Sequence, residues 1–200
     1  MVDLLGRYGH RDVRVHTIER LKAQYRIDEA QAERVARSVN KLYGQVAKEW
    51  GIEDPRFVSY LGWAAQVHEI GLAISHSQYH KHGAYLLQYS DMLGFSHREQ
   101  QILSLLVRAQ RRKFPTGSLK EIALSYAKSV KKLAVLFRLA VLLNRSRQNR
   151  EHPECTLRFE KNEISLWFSP GWLSDNKMVE GDLGLEKTFL GAAGIKFSYQ

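Results

Sequence analysis

The chain has 200 residues, 44% of them hydrophobic, a formal charge of +9 and one cysteine, Cys155. Such a length can bury a core without staples, and a lone cysteine excludes an internal disulfide framework and fits a reducing compartment. No apolar run approaches the about twenty residues that span a bilayer, and Met1-Val2-Asp3-Leu4-Leu5-Gly6-Arg7 lacks the apolar stretch of a signal peptide, so a cytoplasmic, membrane-free protein is expected.

The charge is uneven. Residues 1–150 carry 25 Lys/Arg against 13 Asp/Glu, whereas residues 151–200 carry 5 against 8. The asymmetry predicts two regions with different duties, 1–150 and 151–200. Between 100 and 150 lie Arg108, Arg111, Arg112, Lys113, Lys120, Lys128, Lys131, Lys132, Arg138, Arg145, Arg147 and Arg150, with Glu121 as the one acid. A soluble surface ordinarily mixes signs, so this field predicts a polyanionic partner.

Periodicity places a first helix over Arg11 to Tyr25, on Val13, Ile18, Leu21 and Tyr25. Asp28-Glu29-Ala30-Gln31 has the form of a capping box and opens a second helix through Val35, Val39, Leu42, Tyr43 and Val46. Asp54-Pro55 starts a third, with proline where its missing N–H costs nothing. That helix is apolar on most sides near its end, at Ala64, Ala65, Val67 and Ile70, and is the expected buried centre. A break over Gly71–Ser77 precedes a helix from about Tyr79 to Tyr89. Ser96-His97-Arg98-Glu99, another capping box, opens a helix to about Lys113. Phe114 to Ser118 reads as a loop, and Leu119 to Arg147 as helix with at most one interruption. After Pro153 the pattern alternates: Cys155–Glu160 and Ile164–Phe168 predict a hairpin turning at Lys161-Asn162-Glu163. A helical stretch to Gly191 or Gly194 and a strand over Ile195–Tyr199 complete a small α+β subdomain, which is too small to stand alone and should pack on the helices. The fold class is mainly α: an all-α domain, then this subdomain.

The stretch Trp63 to Leu93 holds His68, His76, His80 and His82, with Glu69 beside His68. Histidines next to a carboxylate suit a metal or acid–base site. His68-Glu69-Ile70-Gly71, His76 and His80-Lys81-His82-Gly83-Ala84 resemble the HD superfamily of helical phosphohydrolases, which hold a divalent metal through an early histidine, a central His-Asp pair and a late aspartate. Here Gln31 stands near the first position, Glu69 replaces the aspartate of the pair, and Val141 stands at the last. Gln31 and Val141 cannot replace an imidazole or a carboxylate as hard-metal ligands. No metal is therefore expected. A metal site, if one formed, would fall on His68, Glu69, His80 and His82. His68 and Glu69 are expected to form a hydrogen-bonded pair inside an HD-like helical scaffold.

A longer string is similar to the C-terminal half of bacterial exopolyphosphatases and the related guanosine-pentaphosphate phosphohydrolases, the Ppx/GppA phosphatase family. It runs from Leu61-Gly62-Trp63-Ala64-Ala65 through His68-Glu69-Ile70-Gly71, Ile74-Ser75-His76-Ser77 and His80–Leu87 to Ser90–Phe95 and Leu106-Val107-Arg108. Arg138–Asn144, Pro170-Gly171-Trp172-Leu173, Asn176 and Leu183–Glu186 extend it. The resemblance implies a catalytic site with Mg²⁺ in two actin-like N-terminal lobes, whose Gly-rich phosphate loops this chain lacks. It thus implies a non-catalytic region with no cofactor of its own, partnered by its own N-terminal catalytic domains, by inorganic polyphosphate and by a second copy in a dimer.

Polyphosphate would be held by Arg108, Arg111, Arg112 and Lys113, by Lys128, Lys131 and Lys132 on one face of a helix, and by His76, His80 and His82. Arg138, Arg145 and Arg147 are further candidates. Three other readings stay open. One is a metal-dependent HD-type nucleotide phosphohydrolase. Another is a nucleic-acid module, against which the aromatics of 100–150 number only Phe114, Tyr126 and Phe137. The third is a dimerisation domain using Trp50, Phe57, Tyr60 and Trp63, which equally suit a core.

Overall fold

The computed structural model describes residues 12–147, 154–160 and 163–200. Arg150, the Lys161-Asn162 turn and residues 1–11 lie outside these. The helical part consists of α1 (Val13–Tyr25), α2 (Glu29–Val46), α3 (Pro55–Val67), a 3-10 turn (Ile70–Ala73), α4 (Tyr79–Tyr89), α5 (His97–Ala109), a one-turn α6 (Thr116–Leu119) and α7 (Leu124–Leu143). β1 (Cys155–Glu160), β2 (Glu163–Phe168), α8 (Trp172–Asp175), α9 (Lys177–Gly191) and β3 (Lys196–Tyr199) follow. The chain is mainly α with a small three-stranded sheet. Among the described residues no helix is long and apolar enough to cross a membrane.

The helix starts follow from their caps. Asp28 accepts from the Gln31 amide at 2.9 Å, and Asp54 accepts from Arg56 N ahead of Pro55 at the first position. Ser96 and Glu99 form a reciprocal box, which satisfies two orphan amides of α5. At Asp28 the box is only half made, because the Gln31 side chain turns inward to Asn144 O and Arg34.

The buried centre is α7 rather than α3. Every residue from Leu133 to Val141 is buried, against α2, α5 and α9. In α3, Gly62, Trp63 and Gln66 are only half-buried and Arg56, Val58 and Ser59 are exposed. The end of α3 is buried as expected, at Ala64, Ala65 and Val67 with Ile70 just beyond, but α7 is buried without a break over that span: Arg138 interrupts its apolar run, yet is itself buried and paired. Trp50, Phe57 and Tyr60 belong to the core.

β1 pairs antiparallel with β2, Cys155 opposite Phe168, and β2 pairs parallel with β3, Glu163 beside Lys196. α8 and α9 make the crossover that a parallel pair requires. The free edge of β1 is covered by Gln45 of α2, which accepts from Leu157 N at 2.6 Å and donates to Cys155 O at 3.2 Å. Trp50 meets Phe159 edge to face, and one apolar core continues from the helices into the sheet.

Gly71 sits where the 3-10 turn touches α4. A Cβ there would lie 1.9 Å from the Tyr79 carbonyl oxygen, and one on Gly83 would lie 3.0 Å from Val107. Both glycines of the histidine stretch are thus packing residues. They let α4 lie flush on the turn and fix where His76 and His80 stand.

Candidate anion-binding surface

Two recesses flank the histidine stretch. The first is a cavity of about 210 Å³ lined by Gln31, His68, Glu69, Val141 and several arginines. α3 ends at Val67, and His68 and Glu69 bond to different partners rather than to each other, contrary to expectation. His68 is 1% exposed, and its Nδ1 lies 2.8 Å from Ala65 O. Burial pulls its pKa below the ordinary value, so the ring is neutral. The proton then sits on Nδ1, and Nε2 presents a lone pair with no partner among the described residues. Glu69 instead receives Arg147 at 2.5 Å, and Arg147 also reaches Asp28 at 2.8 Å.

All four positions compared with the HD ligands line this cavity, but they do not fit a metal. Gln31 spends its amide on Asn144 and Arg34, Val141 has no donor atom, and the Arg147 cation neutralises Glu69. Among the described residues no group of three His, Cys, Asp or Glu side chains could hold a metal ion.

The second recess is a groove of about 720 Å³ between the start of α4 and the 112–118 segment. His80, Lys81, Arg108, Arg112 and Lys113 line it together with Ser77, Thr116 and Ser118, and among the described residues its lining includes no carboxylate. Among the described residues none of its four cations makes an ion pair. Burial lowers the Arg108 pKa without discharging it. His80 is 3% exposed; burial, then Arg108, Arg111, Lys81 and Arg112, push its pKa down to about 4. It is a neutral group at pH 7, with Nδ1 unpartnered among the described residues. A neighbouring recess shares Lys81, Arg108 and Ser118 with the groove and is lined also by Glu121, Tyr85 and Tyr89; the two tyrosines are 64% and 73% exposed and their rings lie 4.7 Å apart.

The basic turn after α5 is held from below. Arg138 forks onto Glu186 at 2.5 and 2.7 Å, donates to Ala109 O, and donates to Arg112 O at 2.9 Å. Arg112 itself has a φ of 59°, a left-handed conformation that needs such support.

The ten residues expected to bind polyphosphate therefore divide. His80, Arg108, Arg112 and Lys113 share the groove. His76 and Arg111 line the cavity, and Arg111 lies over the Tyr79 ring at 5.1 Å. His82 is half-buried on α4, outside both recesses. Lys128, Lys131 and Lys132 do not form one binding face: Lys131 donates to Ala193 O at 3.2 Å, Lys132 to Trp50 O at 2.7 Å, and exposed Lys128 lines neither recess. Lys131 and Lys132 each find one carbonyl just past the end of another helix, α9 and α2, which no local pattern reveals. Arg138 is buried, so it positions other residues and does not face solvent. Arg145 pairs with Asp182 and Arg147 with Glu69 at the cavity mouth. Lys81 lines the groove and was missed, although it stands between two chosen histidines.

The fold and these recesses define a helical module with a small sheet, built around cationic recesses and without a metal-ligand set among its described residues. The chain belongs to the family described as Ppx/GppA phosphatase, domain III, which matches residues 13–187. A relative from Pseudoalteromonas translucida, named guanosine-5'-triphosphate,3'-diphosphate pyrophosphatase, is 32% identical over 188 residues, 93% of this chain and 37% of the relative. Proteins of the same name from Vibrio cholerae and Aeromonas hydrophila are 34% and 29% identical, over 88% and 92% of this chain and 35% and 37% of theirs. The chain spans less than two-fifths of the length of these relatives.

Proposed function

We propose that this chain is a non-catalytic, anion-holding region of a Ppx/GppA phosphohydrolase, and that its groove binds inorganic polyphosphate for cleavage in catalytic lobes that use Mg²⁺. The observation that carries this is the grouping of Lys81, Arg108, Arg112 and Lys113 around one groove with no acid in its lining among the described residues. Lys81, Arg112 and Lys113 are exposed and Arg108 is half-buried, so their like charges add to a positive field, and a polyanion supplies a counter-charge at every step of its backbone. His80 adds a neutral hydrogen-bonding edge. The assembly would work in the cytoplasm, beside its own catalytic domains and a second copy.

The name of the relatives favours a second ligand, guanosine pentaphosphate, and one feature beside the groove suits it. Tyr85 and Tyr89 there could stack a purine ring while the cations hold the phosphates; such stacking contributes ~1–3 kcal/mol per base.

Titration of the chain with long-chain polyphosphate at rising salt tests the proposal. The logarithm of affinity should fall against that of salt with a slope of roughly three to four, one per released counter-ion. Salt-insensitive or absent binding contradicts it. Tyr85→Ala/Tyr89→Ala separates the ligands, weakening guanosine pentaphosphate about tenfold and leaving polyphosphate unchanged. Equal losses would remove the stacking role.

A further inference from the structure

Three residues that line the first cavity each carry a buried polar atom with no partner among the described residues: His68 Nε2, Gln110 Oε1 and Arg111 Nε. Buried polar atoms are ordinarily satisfied, so three around one void point to something that satisfies them. Their chemistry can be assigned. Gln110 is 3% exposed, and its Nε2 donates to His68 O at 2.7 Å and Val107 O at 3.0 Å. That fixes the amide's orientation and leaves Oε1 as an acceptor. His68 donates through Nδ1 to Ala65 O, which leaves Nε2 as an acceptor too. Arg111 Nε is a donor. The cavity thus asks for a ligand that both accepts and donates hydrogen bonds.

The charge balance gives the ligand's sign. Arg145 is matched by Asp182, Glu186 by Arg138, and Arg147 by both Glu69 and Asp28. Arg111 and Arg112 make no ion pair among the described residues, so one net positive charge remains, which favours an anion. A void of about 210 Å³ equals roughly seven waters of liquid volume, enough for a tetrahedral oxyanion with a few waters but not for a polymer.

We propose that this cavity is a site for protonated inorganic phosphate, separate from the groove. Phosphate at neutral pH carries anionic oxygens for Arg111 and Arg112 and at least one O–H for His68 Nε2 or Gln110 Oε1. Sulfate has the same shape and charge but no O–H, and would set an oxygen lone pair against those acceptors. A site that demands a donor rejects the analogue lacking one, because its own buried acceptors stay unpaired. Since orthophosphate is what any phosphohydrolase of this family would release, the site would let this region bind product while the groove binds another anion.

Calorimetric titration of the 200-residue chain with sodium phosphate and with sodium sulfate, at pH 7 and matched ionic strength, tests this. Phosphate should bind at least about tenfold more tightly than sulfate, the cost of one unpaired buried acceptor. Arg111→Met should abolish phosphate binding, and His68→Phe should bring the two anions within about threefold of each other. Lys81→Ala/Arg108→Ala alters the groove alone and should leave the phosphate isotherm in place, so the two sites can fail separately. Equal binding of both anions, no phosphate binding, or phosphate binding that survives Arg111→Met would each overturn the proposal. The wild-type comparison holds even where a cavity variant does not fold.

Discussion

The cavity beside His68 and the groove beside His80 share Arg112, yet they handle charge in opposite ways. In the cavity two of the four lining arginines are matched, Arg145 by Asp182 and Arg147 by Glu69 and Asp28. In the groove Lys81, Arg108, Arg112 and Lys113 lie together with no acid in the lining among the described residues. The contrast teaches that a basic segment cannot be read as one surface. Where carboxylates are near, arginine serves the fold. Where none is, its charge remains for a ligand. The cavity leaves only Arg111 and Arg112 without an ion pair among the described residues, which suits a small anion, whereas the groove suits a long one.

The largest expected effect lies between the two regions, at Arg138. Removing one member of a buried ion pair leaves the other uncompensated and typically costs ~3–5 kcal/mol. Arg138→Met should lose about that much in thermal or denaturant unfolding and should also weaken polyphosphate binding, because the carbonyls of Ala109 and Arg112 lose their clamp. Arg138→Met/Glu186→Leu removes both charges and should recover a good part of the stability. A double variant no more stable than the single one would show that the pair does not govern the turn.

A smaller effect separates the histidines from the cations around them. Burial holds both His68 and His80 below the ordinary 6.5, His80 at about 4. The unfolded chain therefore binds more protons between those values, and stability rises with pH there. The contribution is complete above 6.5 and is lost as pH falls toward 4. For His80 it amounts to at most about 3 kcal/mol, at ~1.4 kcal/mol per unit. Melting curves between pH 7 and 4.5 should show the loss, and His80→Gln should flatten it. An NMR titration placing the His80 ring near 6.5 would contradict this, since the ring would then be partly protonated at pH 7.

Much of the fold was legible in local pattern. The capping residues Asp28, Ser96 with Glu99, and Asp54 ahead of Pro55 mark helix starts because their bonds reach only two or three residues along the chain. The hairpin strands and α4 follow from periodicity in the same way. The site was legible in part, since Arg108, Arg112 and Lys113 are close in sequence and remain close in space. What escaped depends on distant partners. Arg138 finds Glu186 forty-eight residues on, Lys132 finds Trp50 O eighty-two residues back, and Arg147 finds Glu69 seventy-eight back. Nothing near these residues in sequence distinguishes a cation that braces the fold from one that awaits a ligand. Lys81 could have been found: it stands beside the first histidine of α4, on the turn that faces Arg108.

The most direct measurement compares Lys81→Ala/Arg108→Ala with Lys131→Ala/Lys132→Ala in polyphosphate binding at one fixed, moderate salt concentration. The groove pair should lose at least about tenfold in affinity with a shallower salt dependence, while the α7 pair should bind as the wild type does and show its defect in stability. Equal losses from both pairs, or a loss confined to Lys131 and Lys132, would contradict the account.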